Sequence, residues 1–299
     1  MRKAYRFLAA ALSLVLCTGM QSCHNEKISS GYPILFRCAD VTRAEATITD
    51  LQDKGFDVNA FFTANGSKFD FTKSLSYDAD SRIWGYNDIE YWLPGATYYF
   101  KALYPTDAGT IDNSTSAQSL TISNFDVTSQ TDLLVAQTGA IDVDASIGSP
   151  TGGSVVNLTF EHLLANVVIA IKSEISGVTI NNITLSNIAD HGKYDGEDWN
   201  SSNTGEVTIT SGVDLVQNAD HVDVTNGGIM VIPGNAGGLL TIEASNKTYK
   251  DIKIPSGTTW EKGNRYTYTA VIKHENIVFN EPTADKWDSE SATGSVIIK

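Results

Sequence analysis

The sequence predicts an all-β chain of two β-sandwich domains behind a lipoprotein signal peptide. Three observations predict it. Short runs rich in Val, Ile, Thr and Tyr, many alternating apolar with polar, recur from residue 31 onward. Turn residues separate them, among them Asn65-Gly66, Pro94-Gly95, Pro233-Gly234, Ser256-Gly257 and Lys262-Gly263-Asn264. Helical periodicity is weak, with only a short turn expected over Glu161 to Leu164. Repeated short strands punctuated in this way favour sandwiches over α/β units.

The first element is the signal. Arg2, Lys3 and Arg6 make a positive start, and Phe7 to Leu16 follows as an apolar run. That run is shorter than the roughly 20 residues a membrane-spanning helix needs. Ser22-Cys23 after it has the form of a bacterial lipobox, in which the Cys23 thiol takes a diacylglycerol and becomes the new N-terminus. The alternative is an ordinary signal peptide with an incidental cysteine. Residues 1–22 are thus assigned to the signal and 23–30, which are polar, to a lipidated tether. Each buried CH2 of an acyl chain contributes about 0.8 kcal/mol, so several chains on Cys23 would hold firmly. No other segment is apolar enough to span a membrane, which leaves lipid as the expected anchor.

Cysteine usage and charge agree with export. Cys17 departs with the signal and Cys23 is acylated, so Cys38 has no internal disulfide partner. Core packing must then supply the stability. Residues 1–22 carry three basic and no acidic groups, so their removal takes the net charge from -14 to -17. Nucleic acid and anionic lipid surfaces would repel such a chain, and no nucleic-acid partner is expected.

The strand-like runs then come in order. Ile34–Cys38, Asp57–Phe62, Thr97–Tyr104 and Asp132–Ala136 fall in the first half. Val155–Phe160, Asn166–Ile171, Val178–Leu185, Glu206–Thr210, Gly228–Ile232, Leu239–Glu243, Arg265–Ile272 and Ser295–Lys299 fall in the second. The small, polar, Gly-rich stretch Asp142–Gly153 is the expected boundary, giving sandwiches at 31–148 and 154–299.

No catalytic constellation is visible, and no cofactor or metal is expected. His24, His162, His191, His221 and His274 are scattered, and no His-Glu-x-x-His, Gly-x-Ser-x-Gly or phosphate-binding Gly loop occurs. His162 beside an apolar strand reads as a structural polar residue. Asp142-Val-Asp144-Ala-Ser146 begins like a calcium loop, but its twelfth position is Gly153 where a bidentate Glu belongs. Asp190–Asp198 reads as a solvated acidic loop in preference to a calcium site. The dense aromatic run from Trp84 to Tyr104 is either sandwich core or, if exposed, a ligand surface; Trp84 and Trp92 are its candidate ligand-binding residues.

The chain resembles the fimbrillin family of the Bacteroidales, the subunits of type V pili and related surface lipoproteins. The resemblance rests on the lipobox followed by Thr42-Arg43-Ala44, on Trp84…Tyr91-Trp92-Leu93-Pro94-Gly95…Tyr98–Pro105, on Asp132–Ala136 followed by Val156–Ala165, and on Lys262–Tyr268 ahead of Trp287. It implies a pair of transthyretin-like or immunoglobulin-like sandwiches and a non-enzymatic surface protein held at the outer membrane. It further implies cleavage of a lipidated precursor after an arginine, here between Arg43 and Ala44. Removal of the first strand would then open a groove for a strand from another pilin subunit. Packed as an edge strand, Ile34–Val41 would place Ile34, Phe36 and Cys38 on one face, and its loss would bare an apolar slot. Arg43 is otherwise an ordinary loop arginine in a protein that stays anchored. Ser295–Lys299 either completes the second sandwich or acts as a donor. The alternative function is a lipid-anchored binding module for glycans or host proteins that does not polymerise.

Overall fold

Alternating side chains settle the first sheet strand by strand. The computed structural model describes residues 31–38, 45–80, 82–109, 111, 120–201, 205–235, 238–255, 259–274, 276–280 and 282–287. The signal, the tether, Cys23, Arg43, Ala44 and Ser295–Lys299 lie outside the described residues. The first half forms β1 (Leu35–Cys38), α1 (Glu45–Lys54), β2 (Phe56–Ala64), β3 (Ser67–Asp78), β4 (Ile83–Gly85) and β5 (Thr97–Tyr104). It continues with β6 (Ile122–Asp126), β7 (Leu134–Gln137), β8 (Ile141–Asp142), β9 (Val155–Leu158) and β10 (Phe160–His162). One sheet runs β10-β7-β5-β2-β3-β4-β1-β9, with β8 beside β5. Asn65 and Gly66 stand at φ +50° and +76°, as a type I′ hairpin turn requires, and pin the long β2–β3 ladder.

Two local expectations fail here. Residues 45–54 form a helix that the sequence does not announce, because Thr47, Ile48 and Thr49 are β-branched and mask its periodicity. Tertiary contacts hold it: Leu51 is buried, and the Gly55 N–H caps the Leu51 carbonyl at 2.8 Å. Gly55 sits at φ +76°, and a Cβ there would come within 2.2 Å of the Leu75 carbonyl oxygen. Conversely, Glu161–Leu164 is no helical turn. Glu161 and His162 belong to β10, and Leu163 and Leu164 are buried in the core.

The second half supplies β11 (Ala165–Ser173), β12 (Val178–Ile188), β13 (His191–Tyr194), β14 (Trp199–Asn200), β15 (Gly205–Leu215), β16 (Val222–Asp223) and β17 (Ile229–Val231). After these come β18 (Gly234–Asn235), β19 (Leu239–Ala244), β20 (Thr248–Lys253), β21 (Thr259–Trp260), β22 (Asn264–Ile272), β23 (Ile277–Phe279) and β24 (Thr283–Lys286). Its two larger sheets run β16-β11-β22-β23 and β15-β12-β19-β20. Strand β6 pairs with β13, so part of the first half of the chain builds onto the second. That pairing also corrects the reading of Asp190–Asp198 as a loop throughout. His191–Tyr194 is a strand with Tyr194 buried, and only the following turn is acidic, where Asp195 accepts the N–H groups of Glu197 and Asp198.

Two apolar cores result. One gathers Ile34, Phe36, Phe56, Trp84, Trp92, Phe100, Val156 and Phe160 among others. The second gathers Leu120–Val127 with Leu163–Trp287. Strands β5 and β7 serve both. Tyr104, Leu134 and Ala136 face the first core, while Leu103 and Val135 face the second. A period of two residues makes this double use possible.

Candidate functional site

Strand β1 occupies an apolar slot in the first sandwich. Ile34 and Phe36 are fully buried, Cys38 on the same face is half-buried, and Arg37 between them is exposed. The one-face grouping expected of these residues therefore holds. An edge position does not. β1 lies between β4, which it pairs antiparallel through Phe36↔Trp84, and β9, which it pairs in parallel from Leu35↔Val155 to Cys38↔Leu158. The chain returns after the Gly-rich stretch 142–153 to lay β9 along it, and β9 becomes the terminal strand of the sheet.

Aromatic side chains wall the slot. Phe36 packs against Phe100 edge-on, with centroids 5.4 Å apart, and against Tyr86 at 5.7 Å. Trp84 is buried beside Phe56 at 4.6 Å and Tyr77 at 5.1 Å. Trp92 is buried edge-on to Tyr98 and Phe100, and its Nε1–H donates to the Ser154 carbonyl at 3.2 Å. In this conformation neither indole presents a face to solvent. The exposed large apolar side chains of the stretch are Ile89, Tyr91 and Leu93, which alternate with half-buried Glu90 and buried Trp92.

Polar groups seat the segment that enters β1. The Ile34 N–H donates to the Glu90 carbonyl and the Trp92 N–H to the Tyr32 carbonyl, each at 2.9 Å. Tyr86 links both sides: its hydroxyl donates to the Ile34 carbonyl at 3.0 Å and accepts the Glu90 N–H at 3.1 Å. Burial pushes the Tyr86 phenol up to about 12, so it keeps the proton that it donates. Burial pushes the Cys38 thiol up to about 12 as well, which leaves it un-ionised and a poor nucleophile. Sequence reasoning missed Tyr86, Val156 and Leu158 as parts of this slot. The alternation Val156-Asn157-Leu158 was legible, but its parallel partner was not.

The slot is lined chiefly by apolar and aromatic side chains. It is built to hold an extended segment with apolar residues at alternate positions. Among the described residues no cluster of three or more His, Cys, Asp or Glu side chains is arranged to hold a metal, and no helix is long and apolar enough to cross a membrane. His162 is buried with Nδ1 2.7 Å from Asp132 Oδ2, and its ring stacks on Trp287 at 4.0 Å and 12°. The first contact ties β10 to the segment that enters β7, and the second seats Trp287 just after β24.

A family model described as fimbrillin-like matches residues 42–287. The crystal structure of a fimbrial protein from Bacteroides vulgatus is similar, at 18% identity and a TM-score of 0.61 over 85% of this chain and 99% of its own. A candidate cell adhesion protein from Bacteroides ovatus aligns at 13% identity and TM-score 0.58 over 87% and 98%. One from Bacteroides uniformis aligns at 17% and 0.54 over 87% and 99%. At these identities the likeness establishes the fold. No curated protein matches the chain in sequence.

Proposed function

The chain belongs to the fimbrillin-like family, and on that premise we propose that it is a non-enzymatic cell-surface subunit of a fimbrium, built in by strand exchange. The observation that carries this reading is the seating of β1. Phe36 is fully buried on β1 between β4 and β9, and Ile34 just before it is fully buried too, in a segment that precedes Arg43 in the sequence. The family match begins at Thr42, so β1 stands outside it.

The assembly would proceed in physical steps. The precursor is lipidated on Cys23 and held at the outer membrane. A trypsin-like cut between Arg43 and Ala44 leaves β1 attached by non-covalent contacts alone. Ile34 and Phe36 each hold it with roughly 1.5–3 kcal/mol of apolar burial, so it stays until a competing strand arrives. A strand from another pilin subunit, apolar at the two matching positions, would restore the ladders to β4 and β9. The displaced segment carries Cys23 and Cys38 away, and the lipid anchor with them.

Limited trypsin treatment of the purified precursor, followed by mass spectrometry and electron microscopy, tests this. The expected product begins at Ala44, and it joins other subunits into fibres. A precursor that is never cut after Arg43, or a cut product that pairs with no pilin, would overturn the reading.

One observation supports the alternative, a lipid-anchored module that binds glycans or host protein. Tyr91 is 55% exposed between exposed Ile89 and Leu93. That reading expects glycan-array binding by the uncut protein and its loss in Tyr91→Ala at unchanged stability.

A further inference from the structure

Lys101 is buried in the middle of the first sheet with no counter-charge paired to its Nζ among the described residues. It is 2% exposed on β5, its Nζ makes no hydrogen bond among the described residues, and it lies over the Phe61 ring, 5.4 Å from Nζ to centroid. An ammonium in that position is costly, because desolvation is not offset by a partner. Directly across the ladder stands Asn59 on β2, itself 7% exposed. Directly opposed residues of an antiparallel pair share a face, with Cβ atoms about 4.5–5.5 Å apart. A lysine stem spans that gap with slack. Asp57 lies two positions earlier on the same face of β2, with one carboxylate oxygen accepting from Ser74 Oγ at 2.6 Å.

We propose that Lys101 and Asn59 are a modification site, joined by an intramolecular isopeptide bond that locks β5 to β2. The neutral amine attacks the Asn59 carboxamide carbon. The Nζ–Cγ bond forms, the Cγ–Nδ2 bond breaks, and ammonia leaves carrying a proton from the attacking amine. Atoms balance, no oxidation state changes, and no co-reactant is needed. The Asp57 carboxyl relays the proton from the amine to the departing nitrogen. Burial lowers the Lys101 amine to about 8, which puts a substantial share of it in the nucleophilic form at neutral pH. On the other side of β5 the ladder partner is Gln137, which is exposed and so lies open to solvent. The bond removes the buried cation and ties two central strands covalently, a brace suited to a subunit under pull.

Peptide mapping of the purified full chain after denaturation and proteolysis tests this, and it needs no variant to be interpretable. The wild-type protein is expected to yield the β2 and β5 peptides as one branched species, lighter by one ammonia than their sum. Lys101→Met and Asn59→Ala should yield the two peptides separately, and Asn59→Asp should restore the branch with loss of water. Separate wild-type peptides at full mass would overturn the proposal, as would a branch to Gln137 or simple deamidation of Asn59.

Discussion

Phe36 on β1 lies directly opposite Trp84 on β4, and both side chains are buried in the same core. The pair joins the leader end of the chain to the aromatic run that follows α1. In the proposed exchange it would set the slot's specificity, since a replacement strand would have to present an apolar side chain of comparable bulk at the Phe36 position. A small or polar residue there would leave Trp84, Tyr86 and Phe100 facing a void.

Phe36→Ala is therefore expected to destabilise the intact protein by about 3–5 kcal/mol. Neighbouring Arg37→Ala, on an exposed side chain, should stay within about 0.5 kcal/mol. Urea unfolding of both variants is the measurement. Equal effects would show that β1 is not seated as described.

Cys38 should report on the same strand. With its thiol pushed up to about 12 by burial, it is expected to resist iodoacetamide at pH 8 in the folded chain. Denaturation, or displacement of β1 by a synthetic strand peptide, should raise the labelling rate by at least tenfold. Rapid labelling without displacement would show that the segment leaves its slot spontaneously.

Gly55 and Gly66 separate steric from conformational cost. Both have φ +76°, but a Cβ at Gly55 strikes the Leu75 carbonyl at 2.2 Å while one at Gly66 meets nothing within 4 Å. Gly66→Ala should cost only the left-handed conformation, about 1–2 kcal/mol. Gly55→Ala should lower the thermal midpoint clearly further, because α1 must also shift from β3.

Asp126 gives a pH-dependent term. The Thr128 hydroxyl and N–H donate to its carboxylate at 2.6 and 2.8 Å, and the hydroxyl contact is the main reason its carboxyl stays below the usual range; nearby His191 adds to it. A depressed carboxyl contributes stability above its unfolded value, near 3.9, and loses that contribution as pH falls through the folded value. Asp126 caps the short 3₁₀ turn Val127–Ser129, so Asp126→Ala should cost about 1 kcal/mol at pH 7, and the gap to wild type should begin to narrow below about pH 4. Denaturation midpoints across pH 3–7 would check it.

Much of the fold was legible. Thr97–Tyr104 is a strand over the bounds its alternation suggests, and Asn65-Gly66 is the hairpin turn that dipeptide specifies. Strand β3 was missed although Phe69, Phe71, Leu75 and Tyr77 recur at a period of two, because Lys73 interrupts the pattern and the residues between are polar. Helix α1 was missed because it is held by burial of Leu51 against the rest of the fold and by the close approach of Gly55 to Leu75, and neither contact is visible in the sequence of the helix. Of the candidate site, the two-residue period put Ile34, Phe36 and Cys38 on one face once a strand was assumed there, and the walls Tyr86, Val156 and Leu158 were not legible.

The sequence by itself determined the β-rich character, the turns and which face of each strand is apolar, because φ/ψ preference and two-residue alternation are local properties. It also places Ser22-Cys23 ahead of the strands and Arg43 shortly after the first of them. Only the tertiary structure decided that β1 is an inner strand, that β9 returns parallel to it, and that β5 and β7 serve two cores. Those outcomes depend on which segments far apart in the chain bury one another best, and no local pattern encodes a partner that distant.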